Sequence, residues 1–172
     1  DLGGATALPN SAFRYDRALA EVNFRPDLNR LAEVGDYAFD TTALTSATLP
    51  DSVTSVGKGA FSNDTALTSL HLGSGIASIG ESAFVGSNNL ASLTVDPANT
   101  VYSVEDGALY GKGDAGRTLV LYLPTKTDSD VTVPEGTTAI ADAAFANNSS
   151  LRRVVLPEGV TTIGYGAFDG DA

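Results

Sequence analysis

The 172-residue chain contains no cysteine, no methionine, no tryptophan and a single histidine, His71. Without cysteine the chain forms no disulfide, offers no thiolate nucleophile and holds no cysteine-ligated metal. One imidazole supplies one ligand, so a zinc site built from several histidines is excluded as well. We therefore expect neither a bound metal nor a cofactor.

Positive charge and long apolar runs are also scarce. Ten Lys and Arg residues stand against 21 Asp and Glu residues, a net charge of −11. Nucleic acid and anionic lipid are bound by clustered cations, so this composition argues against both as partners. No apolar run approaches the roughly 20 residues that a membrane span needs, so we expect no membrane insertion.

What the sequence does contain is a repeat of the dipeptide Ala-Phe. Its copies end at Phe13, Phe39, Phe61, Phe84, Phe145 and Phe168, and Ala108-Leu109 fits the same frame as a seventh copy. Successive positions are 26, 22, 23, 25, 36 and 23 residues apart. A period of this length is typical of a solenoid, in which each turn buries its apolar side only by stacking on its neighbours.

Two apolar patterns keep the same register in each period. A motif Leu-x-x-Φ-x-Φ, where Φ is apolar, follows each Phe by five or six residues, as in Leu67, Leu70 and Leu72. Its alternation predicts a strand whose intervening residues, such as Ser69 and His71, face water. Two aliphatic residues that lie eight and five positions before each Phe predict a second short strand. The Ala is expected in a short helical turn, and the Phe at the centre of the coil.

These patterns cover the chain and predict one leucine-rich-repeat domain over residues 1–172. We expect a single elongated, right-handed, β-rich coil of about seven turns, with two short strands and a short helical turn in each. The first turn (1–39) is irregular, turns over 40–96 are regular, 97–134 form a long irregular turn, and 135–172 are regular but truncated at the C-terminal end.

The long turn contains a predicted hairpin and one open question. Residues 111–116 indicate a loop between strands at 108–110 and 118–123, because glycine is concentrated there. Either residues 121–123 or residues 131–133 then hold the place of this turn in the main strand ladder, and the sequence favours neither.

The chain resembles a known family through residues 49–61, LPDSVTSVGKGAF, which follow the pattern P-x-x-V-x-x-I-G-x-x-A-F. This pattern is similar to the BspA-type leucine-rich repeat of bacterial cell-surface proteins. The resemblance implies a secreted or surface-exposed bacterial module that binds host or matrix protein or glycan, with no catalytic motif to carry over. Family members often have Cys three residues before the first Leu of the strand motif. Here small polar residues stand there, and we expect them to cap the turn: Asp16, Thr41, Asp64, Ser87 and Asn148.

The predicted contact surface is the outward strand face beside the long turn. It includes His71 and Thr94, together with Tyr102, Tyr110 and Tyr122 from the long turn. The tyrosines have two interpretations: they pack the enlarged loop with their hydroxyls at the surface, or they form an aromatic contact patch, since Tyr is enriched in binding hot spots.

Three functions compete on the sequence alone. The leading hypothesis is a monomeric, non-catalytic adhesin-type binding module, and the alternative is a structural spacer that displays another domain of a larger surface protein. An enzyme is the least favoured, because the sequence has no G-x-S-x-G elbow, P-loop or dinucleotide fingerprint.

Overall fold

The computed structural model describes residues 5–24, 30–113 and 116–170. In this part of the chain short strands build a solenoid of about seven turns, and no helix is present. The strands in chain order are β1 Ala7–Leu8, β2 Glu33–Val34, β3 Ser46–Leu49, β4 Ser55–Val56, β5 Ser69–Leu72, β6 Ser78–Ile79, β7 Ser92–Val95, β8 Tyr102–Glu105, β9 Ala108–Gly113, β10 Gly116–Tyr122, β11 Asp130–Thr132, β12 Thr137–Ile140, β13 Arg153–Val155 and β14 Thr162–Ile163.

Two parallel ladders form two walls of the coil. The strand-motif wall pairs β3 with β5 and β5 with β7, so that Ala47, Leu70 and Leu93 align from turn to turn. The second wall runs in the order β1-β2-β4-β6. Inward residues are buried and the residues between them face outward. The prediction of two short strands per regular turn is confirmed.

The third wall carries the Phe residues, and here the prediction of short helical turns is wrong. Each Phe of the Ala-Phe repeat is flanked, two residues before and two residues after, by a residue with positive φ, such as Gly59 (57°) and Asn63 (56°) around Phe61. A right-handed helix does not continue through left-handed residues. The chain instead forms consecutive tight turns, in which Ala60 N–H bonds Gly57 O at 3.3 Å and Ser62 N–H bonds Gly59 O at 3.0 Å.

The alternating backbone of this wall directs every second amide along the solenoid. The N–H groups of Gly59, Phe61 and Asn63 donate to carbonyls of the next turn at 3.1, 2.8 and 2.8 Å. The equivalent amides around Phe39, at Tyr37, Phe39 and Thr41, do the same. The Phe wall is therefore a third hydrogen-bonded ladder, although it contains no strand.

The Phe rings stack behind this ladder and fill the coil. Ring centroids of Phe39 and Phe61 are 5.2 Å apart, and those of Phe61 and Phe84 are 6.3 Å apart. Phe61 is completely buried, whereas Phe168 in the last described turn is 36% exposed. The column is thus the centre of the apolar core.

The long turn interrupts the regular stack. Strands β9 and β10 pair antiparallel, which confirms the predicted hairpin, and β8 pairs with β9. Ala108 and Leu109 lie in β9, so the assignment of this dipeptide to the Phe column is wrong. Tyr122 takes the column position instead: its N–H donates to Ala144 O at 2.7 Å, and its ring lies 5.3 Å from that of Phe145.

Strand pairing also answers the question that the sequence left open. Strand β11 pairs parallel with β13, which is the strand motif of the next turn, so residues 131–133 and not 121–123 continue that wall. Strand β10 pairs with β12, which pairs with β14, and thus continues the second wall.

Buried polar side chains cap the ends of the Phe wall, as predicted for several turns. Oδ1 of Asp64 accepts the Thr42 N–H at 2.6 Å and the Thr42 hydroxyl at 2.8 Å. Ser87 Oγ donates to Phe61 O at 2.6 Å, and Asn148 Nδ2 donates to Phe145 O at 2.9 Å. Thr41 does not take this part, since its hydroxyl bonds Asp40.

One of these caps, Asp64, leaves a buried oxygen atom without a hydrogen bond. The second carboxylate oxygen of Asp64, Oδ2, is buried and has no hydrogen-bond partner in the described part of the chain. Burial raises the pKa of Asp64 to about 6, against the opposing effect of the bonds from Thr42 and with a smaller contribution from the charge of Asp40. Folding therefore keeps Asp64 protonated up to a higher pH, about 6, than in an unfolded chain.

We expect Phe61→Ala and Phe84→Ala each to lower the free energy of unfolding by about 3–5 kcal/mol, because each removes a buried ring from the column. The matched control is Phe168→Ala, whose ring is partly exposed and which we expect to cost less than about half as much. Chemical denaturation of the three variants measures these losses in the free energy of unfolding. Equal losses at all three positions would contradict a core centred on the Phe column.

We expect Gly59→Ala and Ala143→Gly to shift stability in opposite directions, since both positions have positive φ (57° and 56°). A side chain at Gly59 adds left-handed strain and a Cβ only 2.5 Å from the Tyr37 ring, so we expect a loss of about 1–2 kcal/mol. Ala143→Gly relieves the same strain and is expected to gain up to about 1 kcal/mol. Losses of similar size from both changes in thermal unfolding would contradict this account.

The raised pKa of Asp64 predicts a pH-dependent stability. The folded chain holds this proton more tightly than the unfolded chain, so its contribution is full below about pH 4, falls as the pH rises to about 6 and is constant above. Asp64→Asn keeps an acceptor for Thr42 but does not titrate. We expect the stability of this variant relative to the parent to rise by about 1–3 kcal/mol from pH 4 to pH 6.5.

The relative measurement isolates Asp64 from its neighbours. Burial alone would raise the pKa of Asp40, but hydrogen bonds from Asn63, Arg14 and other groups outweigh it and lower that pKa. Asp40 therefore favours stability at higher pH in both proteins, and only the part that comes from its interaction with the Asp64 charge remains in the difference. Parallel urea-denaturation profiles across this pH range would show that Asp64 is not the group that titrates.

Candidate binding surfaces

The strand-motif wall presents the outward row that the sequence predicts. His71 Nδ1 and Thr94 Oγ1 lie 2.9 Å apart on neighbouring strands of this wall. Beside them runs an open groove of about 980 Å³ over the first turns. The charged residues in the described part of its lining, Glu21, Asp51 and Asp96, are all acidic. We call it the strand-face groove.

The tyrosines of the long turn do not extend this surface as predicted. Tyr110 and Tyr122 are each only 5% exposed, so neither ring offers apolar area to a partner. Tyr102 is partly buried against the core. The burial of Tyr110 and Tyr122 favours the other interpretation, in which these rings pack the enlarged turn, and the partly buried Tyr102 stays a proposed contact residue.

The buried tyrosines Tyr122 and Tyr110 each contact a charged side chain. The Tyr122 hydroxyl donates to Oδ2 of the exposed Asp128 at 2.7 Å, and burial together with this bond raises the pKa of Tyr122. Burial also raises the pKa of Tyr110, whose ring lies 4.1 Å from the guanidinium carbon of Arg117. The Tyr122 ring therefore packs in the Phe column, and the Tyr110 ring packs against Arg117 of the hairpin.

The structure brings a different set of tyrosines to the surface, on the Phe wall. Tyr15 is 60% exposed and Tyr165 is 90% exposed. Together with Tyr37 they line a groove of about 460 Å³. We call this the tyrosine groove and define it by Arg14, Tyr15, Tyr37, Lys58, Asp142 and Tyr165. Sequence reasoning missed it, although the left-handed positions beside each Phe, once recognised, place Tyr15 and Tyr37 outside the core.

Arg14 organises one end of the tyrosine groove. Its guanidinium carbon lies 4.7 Å from the ring centroid of Tyr15 and 4.8 Å from that of Tyr37. Arg14 Nε also donates to Oδ2 of Asp40 at 2.8 Å. Oδ1 of Asp40 in turn accepts hydrogen bonds from Ser62 at 2.8 Å and Asn63 at 2.9 Å. The two rings are thus held by a connected polar network.

A second cavity of about 380 Å³ adjoins this groove where the hairpin interrupts the stack. Phe84, Tyr102 and Val120 contribute to its apolar lining. It shares Ser82, Val85 and Asp142 with the tyrosine groove, so the two openings lie side by side.

Within residues 5–24, 30–113 and 116–170, no three His, Asp or Glu side chains come together in a way that would hold a metal ion. The same ranges contain no helix with the length and apolar character needed to cross a membrane.

Comparison with solved structures gives the same fold. A leucine-rich repeat protein from Eubacterium ventriosum superimposes with a TM-score of 0.87 at 26% identity, over 97% of this chain and 43% of that one. A leucine rich cell surface protein from Faecalibacterium prausnitzii gives 0.75 at 25% identity, over 95% and 48%. The pneumococcal vaccine antigen PcpA gives 0.63 at 24% identity, over 84% and 41%, and shows the fold alone.

The chain spans less than half the length of these three structures. The comparison with curated proteins gives no match. The sequence profile of the BspA type leucine rich repeat region, however, matches residues 4–113 and 125–171 in six copies. With the repeat period, the stacked Phe column and the two strand walls, this match shows that the chain belongs to the BspA-type leucine-rich repeat family.

Proposed function

We propose that this chain is a non-catalytic binding module of a bacterial cell-surface protein, of adhesin type, which contacts a host or matrix protein or glycan. Family membership supports a surface location, and the Faecalibacterium prausnitzii structure is itself described as a leucine rich cell surface protein. Repeat solenoids present long, continuous faces, which suits them to binding extended partners.

The observation that carries this proposal is the exposure of two tyrosines, Tyr15 and Tyr165, beside one groove. The Phe and Leu residues of turns 40–96, such as Phe61 and Leu72, are almost completely buried, so the apolar core there does not need Tyr15 or Tyr165. A tyrosine ring in water exposes apolar area that a partner can cover, and its hydroxyl forms a hydrogen bond at the edge. Exposed tyrosines beside a groove are therefore a typical binding feature.

The strand face is a second candidate contact surface within the same function. His71 and Thr94 remain proposed partner-binding residues there, whereas Tyr110 and Tyr122 are withdrawn because they are buried. The outward side chains Ser46, Ser69 and Ser92 on this face are small. A face of that kind also suits a structural spacer, which is the alternative function.

We expect the purified chain, immobilised on a sensor surface, to bind at least one member of a panel of host matrix proteins and soluble glycans. Tyr15→Ala or His71→Ala should then weaken binding about tenfold, according to which face the partner uses. Ser55→Ala on the second wall is the control and should leave the affinity within about twofold.

Two results would contradict the proposal. If no panel member binds the unmodified chain, the spacer function is favoured. If Ser55→Ala weakens binding as much as the other two variants do, the observed binding does not depend on either proposed face.

A further inference from the structure

We infer that the tyrosine groove binds a neutral glycan, with the exposed rings of Tyr15 and Tyr165 as stacking platforms. The inference rests on the proposed function and names both its site and its ligand class. Three observations on the described residues carry it. They are the fixed position of the Tyr15 and Tyr37 rings, the polar side chains of the groove and the charges of its lining.

The platform at one end of the groove is ordered before any ligand arrives. Arg14 lies between the rings of Tyr15 and Tyr37, and its bond to Asp40 fixes its position. The Tyr37 ring lies directly over Gly59, where an added Cβ would be only 2.5 Å from Tyr37 Cε1. Rings held in this way lose little conformational entropy on binding, so more of the contact energy appears as affinity.

The exposed rings match the two-sided character of a sugar. One face of a pyranose ring consists of C–H groups, which pack on an aromatic face, while hydroxyls surround the ring. Between the tyrosines the groove offers polar side chains that donate and accept hydrogen bonds, including Thr41, Asn63 and Ser82. Tyr15 and Tyr165 both line this groove, so a ligand with more than one sugar can contact both rings.

The charge of the lining indicates a neutral ligand. Two cations, Arg14 and Lys58, are balanced by two carboxylates, Asp40 and Asp142. Both cations are also paired, Arg14 with Asp40 at 2.8 Å and Lys58 with Glu81 at 2.9 Å. With Glu81 counted, the groove has two positive and three negative charges, which is close to neutral on a chain whose net charge is −11.

The strand-face groove provides the contrast. Its described lining includes the carboxylates of Glu21, Asp51 and Asp96 and, among the described residues, no Lys or Arg, so these groups favour a cationic protein segment there rather than at the tyrosine groove. An anionic glycan is repelled by the chain as a whole. The volume of about 460 Å³ lies within the roughly 300–1,000 Å³ of ordinary ligand sites, and the adjoining cavity extends it.

The test is isothermal titration of the chain with neutral hexasaccharides of glucose, mannose, galactose and xylose, with a hyaluronan hexasaccharide as the anionic comparison. We expect at least one neutral hexasaccharide to bind, the hyaluronan fragment not to bind, and the affinity to be the same at low and high NaCl because no ion pair forms.

Four variants locate the site. Tyr15→Ala and Tyr165→Ala should each weaken binding by about tenfold or more, while Tyr165→Phe keeps the ring and should stay within about threefold. Ser55→Ala, on the second wall, should bind like the parent. Because Tyr15 and Tyr165 are exposed, all four should keep the parent melting temperature, which confirms that they are folded.

The possible failures are distinguishable. A matrix protein that binds, and is weakened by the groove variants while no neutral hexasaccharide binds, would overturn the glycan assignment and leave the proposed function standing. Sugar binding that is lost in Ser55→Ala but not in the tyrosine variants would overturn the site. Absence of binding to every sugar and every protein of the panel would overturn both proposals.

Discussion

The hydrogen bonds that join successive turns along the Phe wall constrain the rest of the structure. The bond from Phe61 N–H to Ala83 O sets the separation of two turns, and the stacked rings of Phe61 and Phe84 lie behind it. Every second amide points along the axis only because the flanking residues have positive φ. The strand walls then align in register, since their inward residues must fill the space on the opposite side of the same rings.

The long turn shows what happens where this constraint is interrupted. After Phe84 the chain inserts the β8–β9–β10 hairpin, and the column resumes only at Tyr122, which bonds Ala144 in the manner of a Phe residue. The apolar interior is accordingly divided into two clusters, one on each side of the hairpin. The cavity beside Tyr102 lies at this division.

Spacing alone predicts much of this fold, because a solenoid repeats its burial pattern once per turn. The positions of Phe61, Leu70 and Val56 follow from their register. The left-handed backbone does not follow from spacing, because Ala143 and Tyr37 are residue types that rarely adopt a positive φ. Tyr122 was missed as a column residue because the hairpin shifts the register. The tyrosine groove was missed because exposure on the Phe wall depends on that unrecognised backbone.

The bonds between turns run parallel to the axis of the coil, and this direction has a mechanical consequence. Tension along the axis loads the junctions between turns in series, so the junction crossed by the fewest bonds extends first. Among the described strands, β7 pairs only with β5, and β6 pairs only with β4, so neither wall is hydrogen-bonded as a sheet across the start of the long turn. We therefore expect a stretched chain to open first at the start of the long turn.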